Sequence, residues 1–442
     1  MQPLGSATRG VGPVRLRWVA AIGVLALATS ACGARFEGHE ETSVQAGRET
    51  AATASETPTA ETATPATGGT ETTEPAGPVD PGRTPGITDD EIKIGYLLPL
   101  SGAAPVPSRF DVGVNVYWNV VNQQGGIDGR KVTVVIEDTQ SQAEVGKDKA
   151  KKLIEDDKVF AVVVLDRLEN QEAIGEYLNS RKVPNIEIQT PANLPQDQTW
   201  SFGVTIDHEV QGKLVAEYFV NELKAKNAAL IYENTPTLDP GVDAFKAEMK
   251  KLGGKVSYSK TVEGQQNDFA NEALALKDSG AKAVWLYMAP TPAASLANQA
   301  HSAGYDPVWF ANSISWNFDL ILKVAPDALN NARAFSPWLP LDDPRADPYK
   351  QAYREQNPGQ TPDDLGIVGW GVGQIVAEGL KQAGPELGQN SFRNAMQNLK
   401  FAPDIWAPLD FSPGVREGAN VVAVLKQDGD HWALEHDFTD KF

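Results

Sequence analysis

Ile92-Lys93-Ile94-Gly95-Tyr96-Leu97-Leu98-Pro99-Leu100-Ser101-Gly102 is the stretch from which the fold can be read. Five of its first seven residues, Ile92, Ile94, Tyr96, Leu97 and Leu98, are aliphatic or aromatic, and the Pro and Ser-Gly behind them end the run, which predicts a strand opening into a loop. Beyond that loop, Asp111 to Gln124 puts Val112, Val116 and Val120 on one helical face, and Gly125-Gly126 supplies a left-handed stop. Val132 to Glu137 is the next strand. The alternation continues with helices at 143–155 and 169–180 and strands at 160–165, 184–189 and 200–205. It resumes with helices at 209–223, 242–252 and 268–277 and strands at 228–232, 255–262 and 283–288. Strand and helix in regular succession demand right-handed crossovers and mainly parallel sheets, so the class is α/β. A faint internal echo aligns Ile154, Asp156, Ala161, Val162 and Val164 with Leu276, Asp278, Ala283, Val284 and Leu286, each a helix end followed by a strand. Two similar α/β lobes meeting through the carboxyl ends of their strands would form a cleft between them.

Composition narrows the function. The 442 residues carry 39 basic and 58 acidic side chains, a net charge of −19, which argues against a surface that neutralises phosphates, so no nucleic-acid partner is expected. The single cysteine, Cys32, excludes a disulfide framework and cysteine-rich metal sites. Arg9, Arg15 and Arg17 precede an apolar run from Trp18 to Ala28 that closes in Thr29-Ser30-Ala31. That layout is a signal peptide over residues 1–31, too short in its apolar part for the ~20 residues of a spanning helix. Small residues directly before Cys32 resemble a bacterial lipoprotein box, though Thr29 departs from the usual Leu. Lipidation of Cys32 and plain secretion after Ala31 both imply export, the former to the outer face of the cell membrane. From Thr42 to Thr84 there are 12 threonines in 43 residues, with frequent Pro, Gly, Ala and Glu. Such a segment buries too little apolar surface to order itself, so 32–86 reads as a tether with a mean reach of roughly 40 Å. Removing residues 1–86 takes away six basic and nine acidic side chains and leaves a net charge of −16, so the acidity belongs to the folded part.

Within that part an ordered set of stretches resembles the type I periplasmic binding proteins, in their leucine/isoleucine/valine-binding branch. Ile92 to Gly102 resembles the family's opening strand and loop. Asn122-Gln123-Gln124-Gly125-Gly126-Ile127-Asp128-Gly129-Arg130 resembles its helix end and turn, and Val132 to Asp138 its second strand. Ala244-Phe245-Lys246, Leu252-Gly253-Gly254-Lys255-Val256, Asn267-Asp268-Phe269 and Ser279-Gly280-Ala281-Lys282-Ala283-Val284 resemble its second lobe. The resemblance covers about residues 90–440. It implies two Rossmann-like lobes with parallel central sheets, three hinge crossovers and a ligand cleft between the lobes. The crossings fall near 205–208, 334–337 and 406–409, giving a first lobe of 87–206 and 337–406 and a second of 207–336 and 407–442. It also implies a monomer that captures a small organic solute, amino-acid-like, an organic or aromatic acid, or an amide, and feeds it to the permease subunits of an ABC importer. A ligand-sensing receptor domain and an extracytoplasmic hydrolase are the alternatives.

By the same resemblance, ligand contacts come from loops after the strands. In the first lobe these are Ser101 and Gly102, Phe110, Asp166 and Arg167, and Gln189 and Thr190; in the second, Asn234 and Thr235, Tyr287 and Met288, and Asn312 and Ser313. Two departures stand out. Asp166-Arg167-Leu168-Glu169 occupies the loop where branched-chain amino acid binders hold a carboxylate on small hydroxyl residues, and Ser313 stands where they place an acidic group for the ammonium. Arg167 either grips a carboxylate through two parallel hydrogen bonds or forms an ion pair with Asp166 or Glu169. Trp316, Phe318 and Trp338 join Phe110 and Tyr287 as candidate apolar walls, while at least one of Trp285 and Tyr287 should be packed inside.

Enzyme signatures are missing from the sequence. The five histidines form no H-E-x-x-H, and His431 and His436 fit a terminal hairpin around Asp428-Gly429. There is no G-x-S-x-G elbow and no phosphate-binding loop. Gly369-Trp370-Gly371-Val372-Gly373 sits inside a helical stretch, where close helix packing explains it. No catalysis, metal or cofactor is expected.

Overall fold

A computed structural model describes residues 84–102, 109–188, 198–264, 266–311, 319–412 and 414–442. The expected signal peptide, Cys32 and nearly all of the expected tether lie outside the described residues. The first lobe opens with β1 (Glu91–Leu98), α1 (Phe110–Gln123), β2 (Lys131–Asp138), α2 (Ala143–Glu155), β3 (Ala161–Val164), α3 (Leu168–Ser180), β4 (Asn185–Glu187) and β5 (Ser201–Ile206). The chain then crosses into α4 (His208–Glu217), β6 (Asn227–Glu233), α5 (Asp239–Lys251), β7 (Lys255–Val262) and α6 (Ala270–Ser279). The second lobe continues with β8 (Ala283–Tyr287), α7 (Pro290–Ser302), β9 (Val308–Ala311), α8 (Asp319–Val324) and β10 (Arg333–Ser336). After α4 the helical path runs on to Glu222 with a widened turn, Leu223 N–H donating to the Tyr218 carbonyl at 3.0 Å.

The chain returns to the first lobe for α9 (Asp347–Gln356), α10 (Gly366–Ala383) and α11 (Gln389–Met396), then β11 (Lys400–Phe401), β12 (Leu409–Asp410) and β13 (Glu417–Ala419). It ends in the second lobe with β14 (Val422–Asp428) and β15 (His431–Thr439), an antiparallel hairpin. The eight-stranded sheet has the order β11-β12-β13-β5-β4-β3-β1-β2 and the seven-stranded one β15-β14-β10-β9-β8-β6-β7. Strands β5-β4-β3-β1-β2 and β10-β9-β8-β6-β7 therefore follow one plan, and every pairing within each set is parallel. The two halves of the sequence echo, β3 and β8, hold the same place in that plan.

One expectation is corrected. The third crossing does not fall at Trp406–Leu409, because β12 and β13 still belong to the first lobe's sheet, with Ala419 opposite Ile206. The chain crosses between Ala419 and Val422, and Ala423 then pairs with Ser336. All three crossings thus run side by side, braced by the buried Trp338 and Trp406, whose rings lie 5.3 Å apart. Trp406 Nε1 donates to the Val204 carbonyl at 2.8 Å, so Trp338 belongs to this hinge core and not to a cleft wall.

The long core of the first lobe joins β1, β3 and β5 to α1, α9 and α10. Here the glycines of α10 let two helices meet almost backbone to backbone. A Cβ on Gly369 would lie 2.4 Å from the Phe110 carbonyl oxygen, and one on Gly373 2.3 Å from the Tyr117 ring. The second sheet has a core on each face, one with α6, α7 and α8, the other with α4 and α5.

Candidate functional site

In sheets of this order, ligands sit beyond the carboxyl ends of the strands, where the order reverses between the first strand and its inner neighbour. In the first lobe that point lies between β1 and β3, and in the second between β6 and β8. The loops there carry most of the candidate residues.

After β1, Leu100 and Ser101 are fixed by Asp138 at the end of β2. Ser101 Oγ donates to Asp138 Oδ2 at 2.5 Å, and the Leu100, Ser101 and Gln140 N–H groups donate to Oδ1 at 2.9, 3.2 and 2.9 Å. Burial opposes the charge on Asp138, but these four donors outweigh it and hold its pKa below the ordinary carboxylate value. Gly102 has φ +100°, and a Cβ there would sit 1.9 Å from the Gln140 carbonyl oxygen, so no other residue fits the bend. Phe110, the first residue of α1, is 1% exposed and belongs to the first lobe's core, which removes it from the cleft wall.

After β3, Asp166 is 2% exposed and fully used. It accepts from the Thr139 hydroxyl, from Asn170 Nδ2 at 2.9 Å and from the Arg167 N–H at 2.7 Å, while its own N–H donates to Gln171 Oε1 at 3.1 Å. Arg167 does not pair with the Asp166 carboxylate through its side chain. Its Nε donates to Glu169 Oε1 at 2.7 Å, and its Nη2 donates to Glu233 Oε1 at 3.0 Å. Burial weakens the guanidinium charge, but Glu169 and Glu233 together outweigh it and raise the pKa above its ordinary value.

Glu233 ends β6 in the other lobe, so this pair spans the cleft. The pairing with Glu169 was one of the sequence alternatives; the one with Glu233 was not. Its signal was there, since Glu233 directly precedes the candidate Asn234. Asn234 Nδ2 donates to Glu263 Oε1 at 3.2 Å, and the Thr235 carbonyl accepts from Leu238 N–H at 3.1 Å. Gly264 was also missed. A Cβ on it would lie 2.1 Å from Glu233 Oε1 and 3.4 Å from Arg167 Nη2.

The loop after β8 differs from expectation. Tyr287 is wholly buried, stacked on Trp285 with centroids 4.2 Å apart, and its hydroxyl meets His208 Nδ1 beneath Gly241. Burial, with a contribution from the Asp207 charge, pushes its pKa far above the usual phenol value. Met288 is 2% exposed in the core against α7. Both underlie the cleft instead of lining it. Gln189, Thr190, Asn312 and Ser313, and with them Trp316 and Phe318, lie outside the described residues. The site thus brings together Ser101, Gly102 and Asp138 on one loop pair, and Arg167, Glu233, Asn234 and Gly264 across the lobes.

Two surface hollows of about 580 and 350 Å³ lie elsewhere, the first around Lys182, Trp200 and Arg393, the second between α4 and α5. Neither gathers strand-end residues from both lobes, which a hinged site requires. Among the described residues no cluster of metal-ligating side chains occurs, and no helix is long and apolar enough to cross a membrane.

Facing strand ends joined by three adjacent crossings define a two-lobed binding protein. The chain belongs to the periplasmic binding protein family, whose profile matches residues 91–430. Among individual relatives, an amino acid binding protein of Pseudomonas aeruginosa is 27% identical over 229 residues, 48% of this chain and 58% of that protein. The chain therefore matches little more than half the length of that relative. Of solved structures, a fatty acid ABC transporter substrate-binding protein from Thermomonospora curvata superposes with a TM-score of 0.70 at 21% identity, over 81% of this chain and 94% of the other. The branched-chain amino acid transporter substrate-binding protein of Streptococcus pneumoniae, in complex with isoleucine, gives 0.68 at 20% identity, over 79% of this chain and all of the other. At such identities the structural likeness establishes the fold.

Proposed function

We propose that this protein is the extracytoplasmic solute-binding component of an ABC-type importer. It captures a small organic solute by hinge closure and delivers it unchanged to permease subunits, without catalysis. The observation that carries this reading is the Arg167–Glu233 contact, which joins strand-end loops of two similarly ordered sheets beside a hinge of three crossings. The named solutes of the relatives, amino acids and fatty acids, support an amino-acid-like solute, an organic or aromatic acid, or an amide. Ser101, Gly102, Asn234 and Thr235, with Gln189, Thr190, Asn312 and Ser313, supply its polar contacts. Arg167 is engaged by Glu169 and Glu233 and is left out of this set.

A thermal-shift screen of amino acids, fatty and aromatic acids, amides and polyamines tests the reading. One class should raise the melting temperature saturably, with one-to-one stoichiometry and the solute recovered intact. Turnover of the bound solute, or no binding from any class, would refute it.

We also propose that Cys32 carries a lipid that holds the mature chain at the outer face of the cell membrane. In an exporting host with lipoprotein processing, Cys32→Ala should move the protein from the membrane fraction into the soluble exported fraction. Equal membrane retention of both forms would sink the anchor.

A further inference from the structure

We propose that Arg167 and Glu233 form a latch that closes the lobes on each other before any solute arrives, and that its strength sets how tightly the cleft holds its cargo. This rests on the hinged-capture reading above but adds a closing device to it. The two residues are 66 positions apart and belong to different sheets. Both ends of the contact are prepared. On the first lobe the Asp166 carboxylate holds the Arg167 N–H and is itself held by Thr139 and Asn170, so the arginine starts from a fixed base. Glu169 then takes Nε and leaves Nη2 for Glu233. On the second lobe Glu233 is the last residue of β6, anchored by the sheet, and Gly264 leaves the room its carboxylate needs.

The latch is more than an exposed ion pair. The side chains keep only 26% and 19% of their exposure, so the charges attract through less water than a surface pair does. The adjoining Leu168 packs against the apolar core of the second lobe, so closing the latch also buries a hydrophobic contact. Opening the cleft would expose both together. Because a solute that binds the closed form gains affinity in proportion to the closed fraction, weakening the latch lowers affinity without touching the solute.

The test uses the full chain with Cys32→Ser, which leaves residues 84–442 and the rest of the sequence free of cysteine. Lys151→Cys on α2 and Lys250→Cys on α5, both exposed, then take spin labels, one on each lobe. Without solute, Glu233→Gln should shift the distance distribution toward longer, more open values. Raising salt from about 0.05 to 1 M should do the same to the unaltered latch and little to the variant, since screening acts on the pair. Once a solute is in hand, Glu233→Gln should weaken it roughly three- to tenfold, mainly through faster release. Salt titration needs no latch substitution, so a poorly folded variant leaves that arm intact. Identical solute-free distances in both forms at every salt concentration would overturn the latch. Failure to find any solute bears on the importer reading alone, because the distances are read without one.

Discussion

Glu187 shows how one side chain can set a pH dependence for the whole fold. It ends β4 with 1% exposure, below α3, where a Cβ on Gly175 would come within 2.6 Å of its Oε1. Neither carboxyl oxygen has a hydrogen-bond partner; the Ser201 hydroxyl is near enough to favour the charge but lacks hydrogen-bond geometry. Burial is the main cause that pushes the pKa up to about 8, with the Glu417 and Glu172 charges adding to it. Below the unfolded value of 4.5 both folded and unfolded forms keep the proton. Between that and about 8 the unfolded chain loses a proton that the fold retains, so stability falls as pH rises and levels off above the folded pKa. Glu187→Gln removes this titration. Its stability advantage over the parent should therefore grow across that window to roughly 5 kcal/mol, read as a difference in chemical-denaturation midpoints. A difference that stays flat with pH would show that Glu187 is charged in the fold. Residues of this kind escape sequence reading, because Asn185, Glu187 and Gln189 alternate with Ile186 and Ile188 as on a strand with one wet face, whereas all three residues of β4 are buried. Arg167 was half legible for a similar reason. Glu169 is two positions away, whereas Glu233 reaches it only through the assembly of two lobes.

At the level of elements, the parallel strands and their helices were readable because each has a face or a full surface in an apolar core. β7 begins and ends where its residues suggest, at Lys255 and Val262, and α2 at Ala143 and Glu155. The glycine-rich run at 369–373 was also legible as helix packing, and Gly369 facing a carbonyl oxygen of α1 is its physical content. Two kinds of feature were not. Strands β12 and β13 are two and three residues long, too short for any periodicity, so the third crossing was placed about a dozen residues early. The orientation of Tyr287 was the other. All five residues of β8 are buried, so alternation along the strand carries no information about which side chain meets the cleft. Phe110 fails similarly, since an aromatic beside a loop end and one closing a helix pair look alike in sequence.

Over the whole molecule, the lobes touch at a second carboxylate site that bears on closure. Asp364, just ahead of α10 in the first lobe, accepts from the Asp319 N–H of α8 in the second at 2.5 Å, and Asp319 Oδ1 accepts from Trp432 N–H at 3.1 Å. Burial first, then the Asp319 charge, pushes the Asp364 pKa up to about 7, with Asp363 adding to the shift. Asp319 is itself raised, mainly by burial and further by Asp342, against the opposing charges of Lys323 and His431. Arg109 is spent on Asp363, at 3.5 Å, and does not relieve Asp364. The sign follows directly. A carboxyl whose pKa is raised by the closed arrangement stabilises it while protonated and loses that contribution as pH climbs from the ordinary value of 3.8 through about 7. The contact between lobes should therefore loosen between about pH 4 and 7 in the solute-free protein, seen as a rise in the radius of gyration by X-ray scattering. Asp364→Asn keeps an acceptor for the Asp319 N–H but cannot ionise, so its radius should stay constant over that range. Arg167 keeps its charge throughout that range. A parent protein whose radius is as constant as that of Asp364→Asn would mean that Asp364 does not govern the approach of the lobes.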